Sequence, residues 1–199
     1  MKRISIFSVI IGFLFCWLAA PNVLAYDNMV SPERGMTAGI SLGLSDSDHS
    51  HSVGIIVRPN IGYRFSRTWE TGAFFRYEEC RGLDVYNLSL YGEYDFFPFR
   101  NDNFSLFVDL QAGLGWIQLD YDAEMGAKEP NTTFVEIGFV PGVKYHIPGT
   151  KANIRLRYLF VGFNNYKGGY NNHRACIDNG DFLLDASLRR LEIGVSVNF

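Results

Sequence analysis

The chain has 199 residues, with 18 Lys and Arg against 21 Asp and Glu, for a formal net charge of −3. That length makes about one domain, and the charge includes no basic run of the kind a nucleic acid would need. Aromatics are abundant (11 Tyr, 17 Phe, 3 Trp) and there are 20 Gly, while beyond residue 25 no run of about 18 apolar residues exists, which excludes helical membrane spans.

The first segment is a targeting signal by its chemistry. Lys2 and Arg3 supply positive charge, residues 4–20 are almost wholly apolar, and Pro21 breaks the run. Val23 and Ala25 then put small side chains at −3 and −1 of a cleavage point before Tyr26. A membrane-anchoring helix is the alternative, but no basic residues follow the run. Phe15 stands before Cys16, where a lipid-attachment site needs a small residue, so lipidation is rejected. A cleaved signal peptide of residues 1–25 is therefore expected, leaving residues 26–199 as one domain. Cleavage removes two basic residues and no acidic ones, so the mature charge falls to −5.

The rest alternates with a period of two, which signals strands with one greasy and one polar face. Eight such segments are predicted: 35–44, 53–65, 69–79, 84–97, 104–119, 133–146, 152–163 and 183–199. In the second, Val57, Ile61 and Tyr63 oppose Arg58, Asn60 and Arg64; in the third, Trp69, Ala73, Phe75 and Tyr77 oppose Glu70, Arg76 and Glu78. In the fourth, Tyr86, Leu88, Leu90 and Tyr94 oppose Asn87, Glu93 and Asp95; in the fifth, Leu106, Val108, Leu114 and Trp116 oppose Asp109 and Gln111. The sixth sets Val135, Ile137, Phe139 and Val143 against Glu136 and Lys144, and the seventh sets Ile154, Leu156, Tyr158 and Phe160 against Arg155 and Arg157.

Connections alternate in character. Those at 66–68, 98–103 and 148–151 are short, whereas those at 45–52, 80–83, 120–132 and 164–182 are polar and mostly longer. Short turns at one rim and longer loops at the other are the asymmetry of outer-membrane barrels. Aromatics cluster towards both ends of the apolar face: Tyr63, Phe65, Trp69, Phe96, Phe104 and Tyr145 near the turns, and Tyr77, Tyr86, Trp116 and Phe160 near the loops. Two interfacial girdles would look like this. Period alone does not say which face points out. A soluble lipocalin-like barrel would turn the apolar face inward around a ligand.

The last residues weigh on that choice. Leu191, Ile193, Val195, Val197 and Phe199 share one face, with Glu192, Gly194, Ser196 and Asn198 on the other. This end is similar to the C-terminal assembly signal of bacterial outer-membrane barrels. With the signal peptide and the eight amphipathic segments, it makes residues 26–199 resemble the small eight-stranded outer-membrane proteins of the OmpX/OmpA kind. The resemblance implies an all-β, eight-stranded antiparallel up-and-down transmembrane β-barrel in the outer membrane of a Gram-negative bacterium. Its implied surroundings are outer-membrane lipid and lipopolysaccharide, with the barrel assembly machinery as partner during biogenesis. No C-terminal peptidoglycan-binding domain is expected, because the barrel runs to the last residue.

With the apolar face in lipid, the lumen would carry Arg58, Arg64, Arg76, Lys144, Arg155, Arg157 and Arg190 against Glu70, Glu78, Glu93, Asp95, Asp109, Glu136 and Glu192. Buried charges need partners, and an eight-stranded barrel is only wide enough for side chains to fill. A paired, closed interior is expected, with a narrow low-conductance channel as an alternative. Cys80 and Cys176 lie in predicted extracellular loops, so a disulfide between them is expected, the alternative being two free thiols. The stretch 45–52 is read as a solvated Ser/Asp turn; His49 and His51 are its candidate metal ligands. The Tyr, Asn and Gly of 164–182 suit contact with an extracellular ligand or host surface. An enzyme acting on lipid A would have only His49, Ser50, His51, Ser52 and His173 at the loop rim, none on a rigid strand, so catalysis and a cofactor are not expected.

Overall fold

A computed structural model describes residues 34–46, 53–80, 83–98, 103–119, 132–166, 181–186 and 190–199. The expected signal peptide, His49, His51, His173, Cys176 and most of the two long stretches after residue 119 and after residue 166 lie outside the described residues.

Ten strands follow in order: β1 (Gly35–Asp46), β2 (Val53–Arg64), β3 (Trp69–Cys80), β4 (Leu83–Pro98), β5 (Phe104–Leu119), β6 (Thr132–His146), β7 (Ala152–Arg157), β8 (Phe160–Asn164), β9 (Asp181–Asp185) and β10 (Glu192–Asn198). All pairings are antiparallel between neighbours from β1 to β6 and on to β7, and β10 closes the ring between β7 and β1. β8 prolongs the stave begun by β7, and β9 with β10 makes the eighth. The chain is thus an all-β, eight-stranded antiparallel up-and-down barrel. Closure runs from Thr37↔Asn198 to Gly43↔Glu192.

The short connections gather at one rim, with the carboxyl-terminal end. Between β2 and β3, Ser66 Oγ accepts hydrogen bonds from the Thr68 and Trp69 amides at 3.3 and 3.0 Å. Between β6 and β7, Gly149 takes φ 74°, a conformation that suits glycine in a tight turn, and the Ile147 amide reaches Ala152 O at 3.0 Å. The Asn198 amide donates to Lys151 O and the Phe199 amide to Met36 O, both at 2.9 Å.

Two expectations are corrected here. The seventh and eighth segments are not continuous strands. Arg157 points in, Tyr158 points out, and Leu159 adopts φ 73°, a left-handed conformation that costs a Leu roughly 1–2 kcal/mol. That residue shifts the alternation by one, so Phe160 is fully buried inside the barrel and is no part of an outer girdle. The neighbouring stave breaks between Asp185 and Glu192 at the same height. The second loop is also smaller than its expected 80–83, because Cys80 pairs with Leu83 as the last and first residues of β3 and β4.

Which face points out is settled by burial. Ile40, Leu90, Leu114, Phe139 and Ile193 are each half exposed or more, and every stave carries at least one exposed large apolar side chain. Arg58, Glu70, Glu93, Asp109, Lys144, Arg155 and Arg157 are buried. A water-soluble barrel has the reverse arrangement, and continuous apolar belts of this kind mark contact with a non-aqueous phase. The lipocalin-like alternative falls on this geometry. Aromatics flank the belt on both sides: Trp69–Tyr94 and Phe104–Tyr145 at 4.8 and 4.6 Å near the turn rim, Tyr77–Tyr86 and Tyr86–Trp116 at 5.4 and 5.5 Å near the loop rim. Leu90→Arg, at 63% exposed in the middle of the belt, is expected to destabilise the barrel in lipid vesicles by about 2–4 kcal/mol. Equilibrium unfolding would show this; a neutral result would mean that the belt faces water.

Candidate functional site

Among the described residues the lumen is where the fold concentrates chemistry, and period two explains how. Each strand sends every second side chain inward, so polar residues spaced by two along eight strands converge on one axis. From the turn rim upward they form three groups.

In the lowest, Arg64 from β2 bonds Glu70 of β3 at 2.9 Å and lies 3.7 and 3.5 Å from Glu93 and Asp95 of β4. Lys144 of β6 donates to Glu93 and to both Asp95 oxygens, the latter at 2.8 Å. Arg155 of β7 is ion-paired with Glu93 and lies 3.7 Å from Glu70. Glu70 also accepts from Tyr91 Oη at 2.7 Å and Thr37 Oγ1 at 3.1 Å. In the middle group Arg157 donates to Asp109 at 2.7 Å and to Ser41 at 3.0 Å. Arg58 pairs with Glu192 at 3.3 Å, and Arg76 lies 3.1 Å from Glu78 and 3.5 Å from Glu192. In the upper group Arg190 joins Glu136 at 3.1 Å and Asp185 at 2.7 Å, while Gln111 bridges to Glu136 at 3.2 Å. Asp185 is a member that reading for one continuous eighth strand missed. Its parity is opposite to that of Arg190, so the two share a face only because the strand breaks between them.

Aromatic rings separate these groups, and a simple alternation pattern does not reveal them. Phe107 is buried at the centre, with Lys144, Arg155 and Arg157 about its ring at 5.5, 5.3 and 5.5 Å. Arg58 sits over Phe74 at 3.6 Å and Arg190 over Phe160 at 4.4 Å. Desolvated guanidinium over a ring is a favourable contact. Room for the rings comes from glycines on neighbouring strands: a Cβ on Gly142 would stand 2.3 Å from Phe107, and one on Gly115 2.1 Å from Phe134. Ring over glycine is a known way to fill a tightly curved sheet. Towards the loops, Val85, Ile117, Phe134 and Tyr166 close the top as a small apolar cluster.

Little space remains. Two small cavities beside Arg76 and Arg190 each leave about 10 Å³ for the centre of a water, room for one molecule at most. Among the described residues no group of three or more His, Cys, Asp and Glu is arranged to hold a metal ion. His146, at the turn rim, bonds Asn153 through Nδ1 at 3.1 Å. Leu191, Ile193, Val195, Val197 and Phe199 all face outward. Cys80 ends β3 at the loop rim, and its expected partner is outside the described residues.

No family model and no curated protein sequence matches the chain. Among solved structures it is similar to Neisserial surface protein A (NspA), at 16% identity over 83% of this chain and 97% of that one, with a TM-score of 0.52. It is similar also to the N-terminal β-barrel domain of Pseudomonas aeruginosa OprF, at 16% identity over 84% and 100% of the two chains, TM-score 0.50. The Yersinia pestis outer membrane protein Ail gives 13% identity over 83% and 99%, TM-score 0.44. The fold of this chain is that of the small eight-stranded outer-membrane β-barrels.

Proposed function

We propose that the chain is a non-enzymatic integral barrel of the outer membrane of a Gram-negative bacterium, closed along its axis, with a structural or surface-interaction role. The observation that carries this is the inverted burial: apolar outside, paired charge inside. An exterior of Ile, Leu, Val and aromatic residues suits outer-membrane lipid and lipopolysaccharide. A lumen whose cations and carboxylates meet one another and surround rings supports a filled strut over a conduit. Contact with an extracellular ligand or host surface would then fall to the stretches 45–52, 80–83, 120–132 and 164–182. The outward file ending at Phe199 is the surface that the barrel assembly machinery would read, and residues 1–25 would direct export. Cys80, at the loop end of β3, and Cys176 would be bonded in that oxidising compartment.

Membrane fractionation followed by gel mobility tests this directly. The protein is expected in the outer-membrane fraction, migrating faster unboiled than boiled, with a further shift on reduction if Cys80 and Cys176 are joined. A soluble periplasmic protein with one mobility would sink the proposal. The enzyme alternative has its own check: replacing His49, His51 and His173 together is expected to leave the mass of lipid A unchanged.

A further inference from the structure

The two ends of the barrel differ in charge. The loop stretches 45–52, 80–83, 120–132 and 164–182 hold eight Asp and Glu against four Lys and Arg. The turn stretches 66–68, 98–103 and 148–151 reverse the ratio, with Arg67, Arg100 and Lys151 against Asp102. The described residues show the same contrast. At the loop rim Glu79 is exposed and stands directly across the ladder from Asp84, whose Oδ1 accepts from Tyr77 Oη at 2.8 Å. At the turn rim Arg34, Arg67 and Lys151 are exposed, and among the described residues no exposed Asp or Glu side chain accompanies them.

The order of the ring gathers these three cations into one arc. Lys151 leads into β7, Arg34 leads into β1, and Arg67 joins β2 to β3. β7, β10, β1, β2 and β3 are successive neighbours, so at about 4.8 Å between strands the arc is about 20 Å wide. Its middle is stitched by the Asn198 amide on Lys151 O and the Phe199 amide on Met36 O. Arg34 and Lys151 form no ion pair among the described residues. Set against Glu33, which lies outside the described residues, and the carboxylate of Phe199, the arc keeps a surplus of positive charge. Beside it the outer surface presents Tyr63, Trp69 and Phe199, the kind of ring that marks headgroup depth. Long basic side chains at that depth reach past apolar surface to the polar layer.

We infer that this arc is a docking surface for anionic phospholipid, Arg34, Arg67 and Lys151 holding headgroup phosphates of the leaflet on the turn side. In barrels of this topology that leaflet is the periplasmic one. The inference rests on the lipid-embedded reading above. Guanidinium meets phosphate through paired N–H donors, and ammonium meets it as a point charge. The acidic loop side repels the same headgroups, which confines the contact to one leaflet. A soluble acidic partner would be better served by cations gathered on one protruding spot; here they are spread along the rim at the depth of the aromatics.

Spin-labelled lipids read this contact. Residues 26–199 are refolded into phosphatidylcholine vesicles carrying a trace of spin-labelled phosphatidylglycerol or phosphatidylcholine, and the motionally restricted fraction gives the relative association of the two. At low salt phosphatidylglycerol is expected to be favoured by at least about threefold. That preference is expected to fall to about one in about 1 M salt, and to do the same at low salt when Arg34→Gln, Arg67→Gln and Lys151→Gln are combined. Equal association in the unaltered chain, or a preference that the triple variant keeps, would overturn the arc. Gel mobility of each sample, unboiled and boiled, separates the two readings. An unaltered chain with no heat-modifiable form would sink the embedded barrel and the arc with it, whereas a heat-modifiable barrel without the preference sinks the arc alone. Should the triple variant not fold, Arg34→Gln and Lys151→Gln are read singly, and a full preference in both would overturn the arc equally.

Discussion

Glu93→Ala is expected to cost the barrel about 3–5 kcal/mol, the range seen when one partner of a buried ion pair is removed. Glu93 is 1% exposed and meets Lys144, Arg155 and Arg64. Without it, three buried cations face only Glu70 and Asp95. The double variant Glu93→Ala, Arg155→Ala is expected to recover at least half of that loss. It leaves Arg64 on Glu70 at 2.9 Å and Lys144 on Asp95 at 2.8 Å, two cations for two carboxylates. Denaturant titration in lipid vesicles, followed by the fluorescence of Trp69 and Trp116, gives both numbers. A double variant as unstable as the sum of the singles would show that the two side chains act independently. The same substitutions at an exposed ion pair would move stability by about 1 kcal/mol or less.

Phe107→Ala is expected to cost a similar amount, about 3–5 kcal/mol, because it leaves a void in a filled interior. It also strips three cations of their common ring face. Gly142→Val tests the space from the other side. A Cβ there would stand 2.3 Å from the ring, and overpacking of this kind costs about 1–3 kcal/mol. Placed on Phe107→Ala, the same valine is expected to cost less, since the ring it strikes has gone and Leu156 O, 2.6 Å from that Cβ, is the close contact left. If Gly142→Val costs as much with the ring absent as with it present, the glycine serves the backbone and not the ring. Unfolding midpoints of the four variants in one detergent settle it.

Six of the eight staves could be read from the chain to within two residues at each end, because alternation over ten or more residues leaves a single register. The same parity separates Arg58 and Arg64 from Ile61 and Tyr63, and in the barrel the first two are buried and the latter two exposed. Parity fails at the last two staves, where one left-handed residue, Leu159, and one break before Glu192 exchange the faces. A clue lay in the chain: Asp185 and Arg190 are five apart, so an unbroken strand would have to turn one of them into the apolar belt. Alternation also misassigns large rings that point inward. Phe74, Tyr91, Phe107 and Phe134 carry the parity of the charges, and what marks the last three is the glycine across the ladder: Gly72 opposite Tyr91, Gly142 opposite Phe107 and Gly115 opposite Phe134. Hydrophobicity alone does not distinguish a ring that meets lipid from one that carries a guanidinium. The long stretches joining the staves have no period, so nothing in their spacing sets their geometry.

The seam between the first and last strands governs how this molecule can come into being. Thr37 pairs with Asn198, about 160 positions away, and the Phe199 amide reaches Met36 O. No product of synthesis that stops short of β10 can complete the ring, since β10 is the partner of β1. Contacts this distant in sequence form slowly, because loop-closure entropy is spent before any of them is gained. Until that moment the β1 edge from Thr37 to Gly43 presents unpaired amides and carbonyls beside a bare apolar belt, an invitation to pair with another chain. Docking of β10 is thus the clasp that removes this edge, and with it the main route to mispairing.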